Sequence, residues 1–177
     1  MTATGPWTSV SMPYVSDQRG DLWATEAAQH GGKGTQQLLR VEEIIAPATV
    51  AGVLGLVAGE PVVVRGRVML FDGDPVELVE SYYPASIARG TRLADSRKIP
   101  GGAVAHLCDL GHQPRHVRED VSARLATAAE QTVLQLNEPS CVLLLNRVLT
   151  TDNGLAVEAS VITMAAEGRR LRYELTP

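Results

Sequence analysis

The sequence repeats one pattern of secondary structure at an interval of about eighty residues. In each copy an apolar helical segment is followed by a loop, a long run rich in β-branched residues, a tight turn and a second long run. The matching pairs are Leu54–Leu56 with Leu134–Leu136, Arg67–Val68 with Arg147–Val148 and, after one inserted residue, Val76–Glu77 with Val157–Glu158. A repeat of this length is too long for a solenoid unit. We therefore predict one internally duplicated domain.

The first copy contains a strong hairpin pattern at residues 61–83. Two β-branched runs flank Asp72 and Gly73, a pair typical of tight turns between antiparallel strands. Pro84 ends the second run because proline cannot extend a hydrogen-bond ladder. Further strands are predicted at residues 36–45, 112–125, 141–149, 156–164 and 171–175. Strands joined by hairpins predict a mostly antiparallel sheet.

Short helices are predicted between these strands. An apolar stripe follows Pro47, and proline suits the first turn of a helix. Thr127 and Glu130 have the capping-box spacing that starts the equivalent helix of the second copy. Two more helices are predicted at residues 23–30 and about 102–110, and a charged loop at residues 85–100. The predicted fold class is therefore α+β, a mostly antiparallel sheet flanked by helices.

Arg65 and Arg67 stand two positions apart on the first hairpin strand, so their side chains point to the same face of the sheet. Two adjacent guanidinium groups repel each other unless an anion lies between them. They could form a clamp for a phosphate or carboxylate. Alternatively, they extend to solvent or pair with Glu77 and Glu80 of the returning strand. The spacing alone leaves both interpretations open.

The overall composition restricts the class of protein. The chain has 177 residues, of which 45% are hydrophobic, and a net charge of −4. This charge argues against non-specific nucleic-acid binding, which requires a concentrated basic face. Neither a run of eighteen apolar residues nor a signal-peptide pattern is present, so we expect a cytoplasmic protein without a membrane partner. Residues 1–35 are predicted to be an extended N-terminal arm with a short helix.

No motif predicts catalysis, a cofactor or a metal site. Cys108, His112 and His116 have a spacing that would align them on a continuous helix, but Gly111 and Pro114 interrupt it. We therefore expect no metal ligands, no catalytic residue and no cofactor.

Several motifs in a fixed order resemble a known family. They are Leu54–Leu56 at a helix end, the Arg65-x-Arg67 strand, the Asp72-Gly73 turn, Glu80–Pro84, a Gly-started helix ending at Leu110–Gly111, Glu119–Ala126, and Gly168–Tyr173. Over about residues 36–175 the chain resembles the UTRA domain, the effector-binding half of HutC-type members of the GntR regulator family. The resemblance implies a chorismate lyase-like fold, a UTRA-like ligand-binding domain at residues 36–177, and a homodimer.

The same resemblance implies a pocket for a small-molecule effector. In family members the Arg-x-Arg strand, here Arg65 and Arg67, helps to hold an anionic effector, often a sugar phosphate. Gly101 and Gly102 stand where many members supply a serine, so fewer hydroxyl donors are available here. Val79 replaces an acidic residue found in many members, and Glu80 faces the other way by alternation. A less polar effector, such as an acidic metabolite, is therefore expected.

Further candidates for lining the pocket come from the same resemblance. They are Glu80, Tyr82, Arg147, Glu158, Arg169 and Tyr173.

Regulators of this family place a winged helix-turn-helix of about sixty residues before the effector domain. Residues 1–35 cannot hold it, so this chain is expected not to bind operator DNA directly. The main hypothesis is therefore an effector-binding domain of a GntR/HutC-type regulator without its own DNA-binding part. The alternative is a stand-alone enzyme, since chorismate lyase uses the same fold; Arg65 and Arg67 with Glu80 or Glu158 would then serve it. A third hypothesis is a ligand-free partner that dimerises with full-length regulators.

Overall fold

The computed structural model describes residues 7–15 and 20–174. Six strands form one sheet: β2 (Gly34–Ile45), β3 (Pro61–Phe71), β4 (Asp74–Pro84), β5 (Pro114–Leu125), β6 (Cys141–Thr151) and β7 (Ala156–Ala165). Two short strands, β1 (Trp7–Val10) and β8 (Arg169–Arg172), form a separate pair. The helices are α1 (Met12–Val15), α2 (Leu22–Gln29), α3 (Ala48–Leu54), α4 (Ala85–Ala88), α5 (Ala103–Asp109) and α6 (Ala128–Leu134), with a 3-10 turn at Arg92–Ala94.

The large sheet has the strand order β2-β3-β4-β7-β6-β5, and all its strand pairs are antiparallel. The predicted duplication is confirmed: β5, α6 and β6 begin eighty positions after β2, α3 and β3. The two halves meet at the β4–β7 pair. The sheet is therefore built from two equivalent halves, with the second hairpin strands at its centre.

Helices α3 and α6 cover one face of the sheet, which we call the back face. Val50, Ala51 and Leu54 of α3 pack on Val62 and Val64 of β3. Helix α3 contacts β7 and α6 contacts β4, so each helix lies over a strand of the other half. Helix α6 begins with the predicted capping box, since the Thr127 and Glu130 side chains each accept a hydrogen bond from the other's backbone N–H. Packing on the back face thus joins the two halves.

The opposite, front face is covered by the N-terminal segment, by α2 and by the region between β4 and β5. Trp23 of α2 packs with Met69, Ile162 and Met164 of the sheet. Tyr83, Leu93, Leu107 and Leu149 form a second buried cluster nearer α4 and α5. None of the helices in residues 7–15 and 20–174 has both the length and the apolar character needed to cross a membrane.

The structure corrects three details of the sequence prediction. Residues 85–100 contain α4 and the 3-10 turn, because Thr91 caps the turn by accepting from the N–H of Leu93. The last strand spans Arg169–Arg172, since it is defined by its parallel pairing with β1. Part of the predicted arm is therefore a strand of this small sheet. The arm's residues 1–6 and 16–19, and the final residues 175–177, lie outside the described residues.

Candidate functional site

A cavity of about 350 Å³ lies on the front face of the sheet. The central strands β3, β4, β7 and β6 form its floor. The N-terminal segment and α2 form one wall, and residues 98–105 at the start of α5 form another. Alternate side chains of a strand point to the same face, so Arg67, Val79, Ser81, Arg147 and Ser160 all face this space. The cavity thus collects residues from both halves of the duplication.

A polar row crosses the floor of the cavity. Ser81 of β4 pairs in register with Ser160 of β7, Ser160 with Arg147 of β6, and Arg147 with Glu119 of β5. The two serine hydroxyls lie 2.9 Å apart, and Arg147 Nε donates to Glu119 at 2.6 Å. Both side chains of the Arg147–Glu119 pair are at least 90% buried. Arg147 therefore enters the cavity as a neutralised cation.

Arg65 belongs to the same row by register, opposite Ser81, but its guanidinium is not at the cavity. It donates to the backbone carbonyls of Leu93, Asp95 and Arg97 at 2.9, 2.5 and 2.7 Å. Burial lowers the pKa of Arg65, and the nearby Arg67 charge lowers it further. Its role is to hold the loop between α4 and α5 against the sheet.

Arg67 is the residue of the Arg-x-Arg pair that lines the cavity. Its Nη2 donates to Ser81 Oγ at 3.0 Å. Its Nε is buried and has no hydrogen-bond partner among the described residues. A guanidinium that lines a cavity and retains an unused donor can bind an anionic ligand group.

Glu158 of β7 also lines the cavity and is 7% exposed. Its Oε1 accepts from Ser160 Oγ at 2.6 Å, whereas Oε2 is buried without a partner in the described chain. The phenol of Tyr83 lies beside it. Burial raises the pKa of Tyr83, and the negative charge of Glu158 adds to this effect. Tyr83 was not predicted as a site residue, although alternation with Ser81 on β4 would have placed it on this face.

The wall formed by the N-terminal segment is attached through Glu26 of α2. The Glu26 carboxylate accepts from Trp7 Nε1 at 2.7 Å, from Ser9 Oγ at 2.8 Å and from the hydroxyl of Tyr14. Burial raises the pKa of Tyr14, as does the adjacent Glu26 charge. Trp7 also stacks on His30 with ring centroids 4.1 Å apart. These residues were missed because their contacts join segments that no local sequence pattern links.

Two further ion pairs lie at the cavity. Arg169 Nη2 forms an ion pair with Glu77 Oε1 at 3.1 Å. Burial raises the pKa of Glu77, and Arg169 partly opposes that rise. At another position on the wall Lys98 Nζ lies 2.5 Å from Asp21. The candidate Arg169 therefore lies behind the lining, where it balances the charge of Glu77.

Gly101 and Gly102 lie at the cavity beside the start of α5, as expected. Both have positive φ angles, 79° and 91°, which side chains rarely tolerate. The chain can therefore turn sharply into the helix at this wall, and no serine hydroxyl is supplied there.

Besides Arg65 and Arg169, three further predicted candidates are not brought to the cavity. Glu80 and Tyr82 lie on the back face, because alternation along β4 turns them away from Ser81. Glu80 pairs with Arg40 and accepts from the Tyr82 hydroxyl at 2.8 Å, and Glu77 pairs with Arg169. The alternative in which Glu77 and Glu80 pair with Arg65 and Arg67 is therefore not observed. Tyr173 is 49% exposed beyond the end of β8. Of the ten predicted candidates, the cavity lining contains Arg67, Gly101, Gly102, Arg147 and Glu158.

Comparison with known proteins identifies relatives of this chain. The family model of the UTRA domain matches residues 29–168. The HTH-type transcriptional regulator SCO4628 of Streptomyces coelicolor is 33% identical over 129 residues, covering 71% of this chain and 48% of that protein. The HTH-type transcriptional repressor PhnF of Mycolicibacterium smegmatis is 28% identical over 155 residues, covering 87% and 63%. The chain thus spans about half to two thirds of the length of these two relatives.

A solved structure agrees in fold. The crystal structure of the effector domain of PhnF from Mycobacterium smegmatis matches with a TM-score of 0.75 at 22% identity, covering 90% of this chain and 99% of that domain. The family match covers most of the described sheet and its two helices α3 and α6. The chain belongs to the UTRA domain family, whose fold forms the effector domain of PhnF.

Proposed function

We propose that this domain binds a small anionic or partly apolar metabolite as the effector of a GntR/HutC-type transcription regulator. The observation that carries the proposal is the cavity of about 350 Å³ lined by Arg67, whose Nε has no partner in residues 7–15 and 20–174. This volume suits a small metabolite. The cavity also has apolar side chains, among them Leu145 and Ile162, beside its charged groups. The apolar side chains can therefore cover the carbon atoms of a ligand, while the charged groups bind its polar groups.

The position of the cavity supports a regulatory role. Ser9, Ser11 and Tyr14 of the N-terminal segment are part of its wall. A ligand that touches this wall can shift the equilibrium between docked and undocked forms of the N-terminal segment. The size of the shift is set by the difference in the ligand's affinity for these two forms. In the proposed regulator this segment connects to a DNA-reading part. A net charge of −4 does not favour binding of operator DNA by this chain itself.

We also propose that the protein forms a homodimer in the cytoplasm. Strand β5 is an edge strand, and Val117, Val121 and Leu125 on it are exposed. An exposed apolar edge favours pairing with another strand. A second copy is the proposed partner, because a dimer matches the two-fold symmetry of operator half-sites. Analytical ultracentrifugation tests this arrangement. We expect the wild type to sediment as a dimer and Val121→Lys as a monomer, and a monomeric wild type would contradict the proposal.

A thermal-shift screen tests the proposed ligand binding. Sugar phosphates, aromatic acids and chorismate are added to the wild type, to Arg67→Ala and to Arg170→Ala, which removes an exposed cation outside the cavity lining. A ligand at one hundred times its Kd should stabilise the wild type by about 2.7 kcal/mol. We expect Arg67→Ala to abolish this shift and Arg170→Ala to retain it.

The fate of a stabilising compound separates an effector from a substrate. Chromatography after incubation should recover the compound unchanged if the domain is a sensor. Consumption of the compound would support the enzyme hypothesis instead. Stabilisation that is equal in Arg67→Ala and the wild type would contradict binding in this cavity.

A further inference from the structure

The charges that line the cavity are mostly neutralised by neighbours. The pairs are Lys98 with Asp21, Arg147 with Glu119 and Glu77 with Arg169. Arg65, which could have added a second free cation, is committed to the carbonyls of the loop between α4 and α5. Few charged groups are therefore left for a ligand.

Two groups of opposite charge at the cavity, the half-buried Arg67 and the buried Glu158, each retain a buried hydrogen-bonding atom without a partner in the described chain. These atoms are Arg67 Nε and Glu158 Oε2. A charged group with a buried, unused atom is costly unless something binds it. The site thus offers one cationic donor and one anionic acceptor.

These two groups are held at the two ends of a hydrogen-bonded chain. Arg67 Nη2 donates to Ser81 Oγ at 3.0 Å, Ser81 lies 2.9 Å from Ser160 Oγ, and Ser160 donates to Glu158 Oε1 at 2.6 Å. Ser81 and Ser160 are paired in register on adjacent central strands, so this chain is fixed by the sheet itself. The cation and the anion are therefore rigidly separated by two hydroxyl groups.

We infer that the cavity selects a zwitterionic ligand, in which a carboxylate meets Arg67 and a protonated amine meets Glu158, with several carbon atoms between them. This inference rests on the proposed function, since it names the ligand class of the same cavity. Charge-assisted hydrogen bonds to both ends satisfy both buried atoms at once. A phosphate dianion is a poorer match because it meets one unpaired cation and is repelled by Glu158.

The carbon atoms of such a ligand also have a suitable environment. Val79 of β4, Leu145 of β6 and Ile162 of β7 line the cavity. Met69 and Met164 extend this apolar surface. An aminoalkanoate, with charged ends and a methylene body, has this distribution of groups.

A matched set of compounds tests the inference on the whole chain. The zwitterions are 4-aminobutanoate, 5-aminopentanoate and 6-aminohexanoate. Pentanoate lacks the amine, pentylamine lacks the carboxylate, and glucose 6-phosphate represents a sugar phosphate. Affinities are measured by calorimetry and thermal shift. We expect at least one aminoalkanoate to bind at least tenfold more tightly than pentanoate and pentylamine.

Two variants assign each end of the ligand. In Glu158→Gln the preference of the aminoalkanoate over pentanoate should disappear, and in Arg67→Gln the preference over pentylamine should disappear. Glu42→Gln, at an exposed position on β2, serves as the control and should retain both preferences. The comparison of compounds on the wild type decides the question even if a buried variant does not fold.

The outcomes separate this inference from the proposed function. Binding of glucose 6-phosphate or pentanoate without a preference for any aminoalkanoate overturns the zwitterion and leaves the effector domain in place. Failure of every compound in this set and in the wider screen overturns both.

Discussion

Arg65 and Arg67 lie two residues apart on one face of β3, and only Arg67 reaches the cavity. The guanidinium of Arg65 donates hydrogen bonds to carbonyls of the loop between α4 and α5, whereas Arg67 Nε has no partner among the residues described. A cation bonded to a buried loop stabilises the fold, and one with a free donor can bind a ligand. Two arginines on the same face of one strand therefore have different roles, one in stability and one in the proposed binding of a ligand.

Replacement of these arginines should separate stability from binding. Arg65→Ala leaves the carbonyls of Leu93 and Asp95 without their donor, so we expect the free energy of unfolding to fall by about 3 kcal/mol. Arg67→Ala should lower it by less than about 1 kcal/mol, because it loses one hydrogen bond to Ser81. Urea denaturation measures both values. Equal losses in the two variants would contradict the assigned roles.

Glu26 is predicted to control docking of the N-terminal segment. Glu26→Gln keeps one acceptor oxygen for the donors Trp7, Ser9 and Tyr14. We expect local opening of the segment to become easier by about 1–3 kcal/mol. Amide hydrogen exchange at residues 7–10 should speed up, and tryptophan fluorescence should shift to the red as Trp7 leaves its stack with His30.

The exposed Glu42→Gln is the control for this experiment. It should leave exchange at residues 7–10 unchanged. Unaltered exchange in Glu26→Gln would mean that the β1–β8 pairing holds the segment without the carboxylate.

Glu130 should make stability depend on pH in the acid range. Bonds from Arg124 lower the pKa of Glu130 from 4.5 to about 2, with the backbone N–H of Thr127 contributing. An acid with a lowered folded-state pKa stabilises the native state above its unfolded-state value, and this stabilisation is lost as pH falls from about 4.5 towards 2. Because the group is partly exposed, we expect Glu130→Gln to cost about 1 kcal/mol at pH 7.

Urea titrations at several pH values test this expectation. The stabilities of Glu130→Gln and the wild type should converge as pH falls to about 2 and below, because Glu130 becomes protonated in the native state as pH passes through its folded-state pKa. Glu43→Gln is the matched control, since Glu43 pairs with Arg89 at the surface without a helix cap. Its difference from the wild type should vary less with pH. A constant difference for Glu130→Gln across this range would exclude the linkage.

Two glycines should respond to alanine in opposite directions. A Cβ on Gly34 would lie 2.7 Å from the carbonyl oxygen of Trp23 and 2.8 Å from Ala27 Cβ, so Gly34→Ala should destabilise the fold by about 1–3 kcal/mol. A Cβ on Gly52, inside α3, would meet no atom within 4 Å. Gly52→Ala should therefore stabilise by up to about 1 kcal/mol. Thermal unfolding of both variants checks the signs, and a stabilising Gly34→Ala would contradict the close packing of α2 on β2.

Local patterns in the sequence were sufficient for the six strands of the large sheet, for the turns and for the duplication. The Asp72-Gly73 turn, the capping box at Thr127 and the alternation along β3 and β4 act over a few residues. Because the period of a strand is two, Arg67 was correctly assigned to the face that carries Arg65, and Glu80 to the opposite face. The repeat likewise linked Arg67 to Arg147, and both line the cavity.

Only the tertiary structure decided which of these residues face a ligand. The guanidinium of Arg65 is occupied by carbonyls of a loop about thirty residues later in the chain, and Tyr14 and Glu26 reach the cavity through contacts between distant segments. The parallel pairing of β1 with β8 joins the two ends of the described chain. Such contacts depend on how whole helices and strands pack against one another, and this packing cannot be read from the type and spacing of neighbouring side chains. The sequence by itself therefore determined the sheet and the face of each side chain, whereas packing determined the cavity and its free charges.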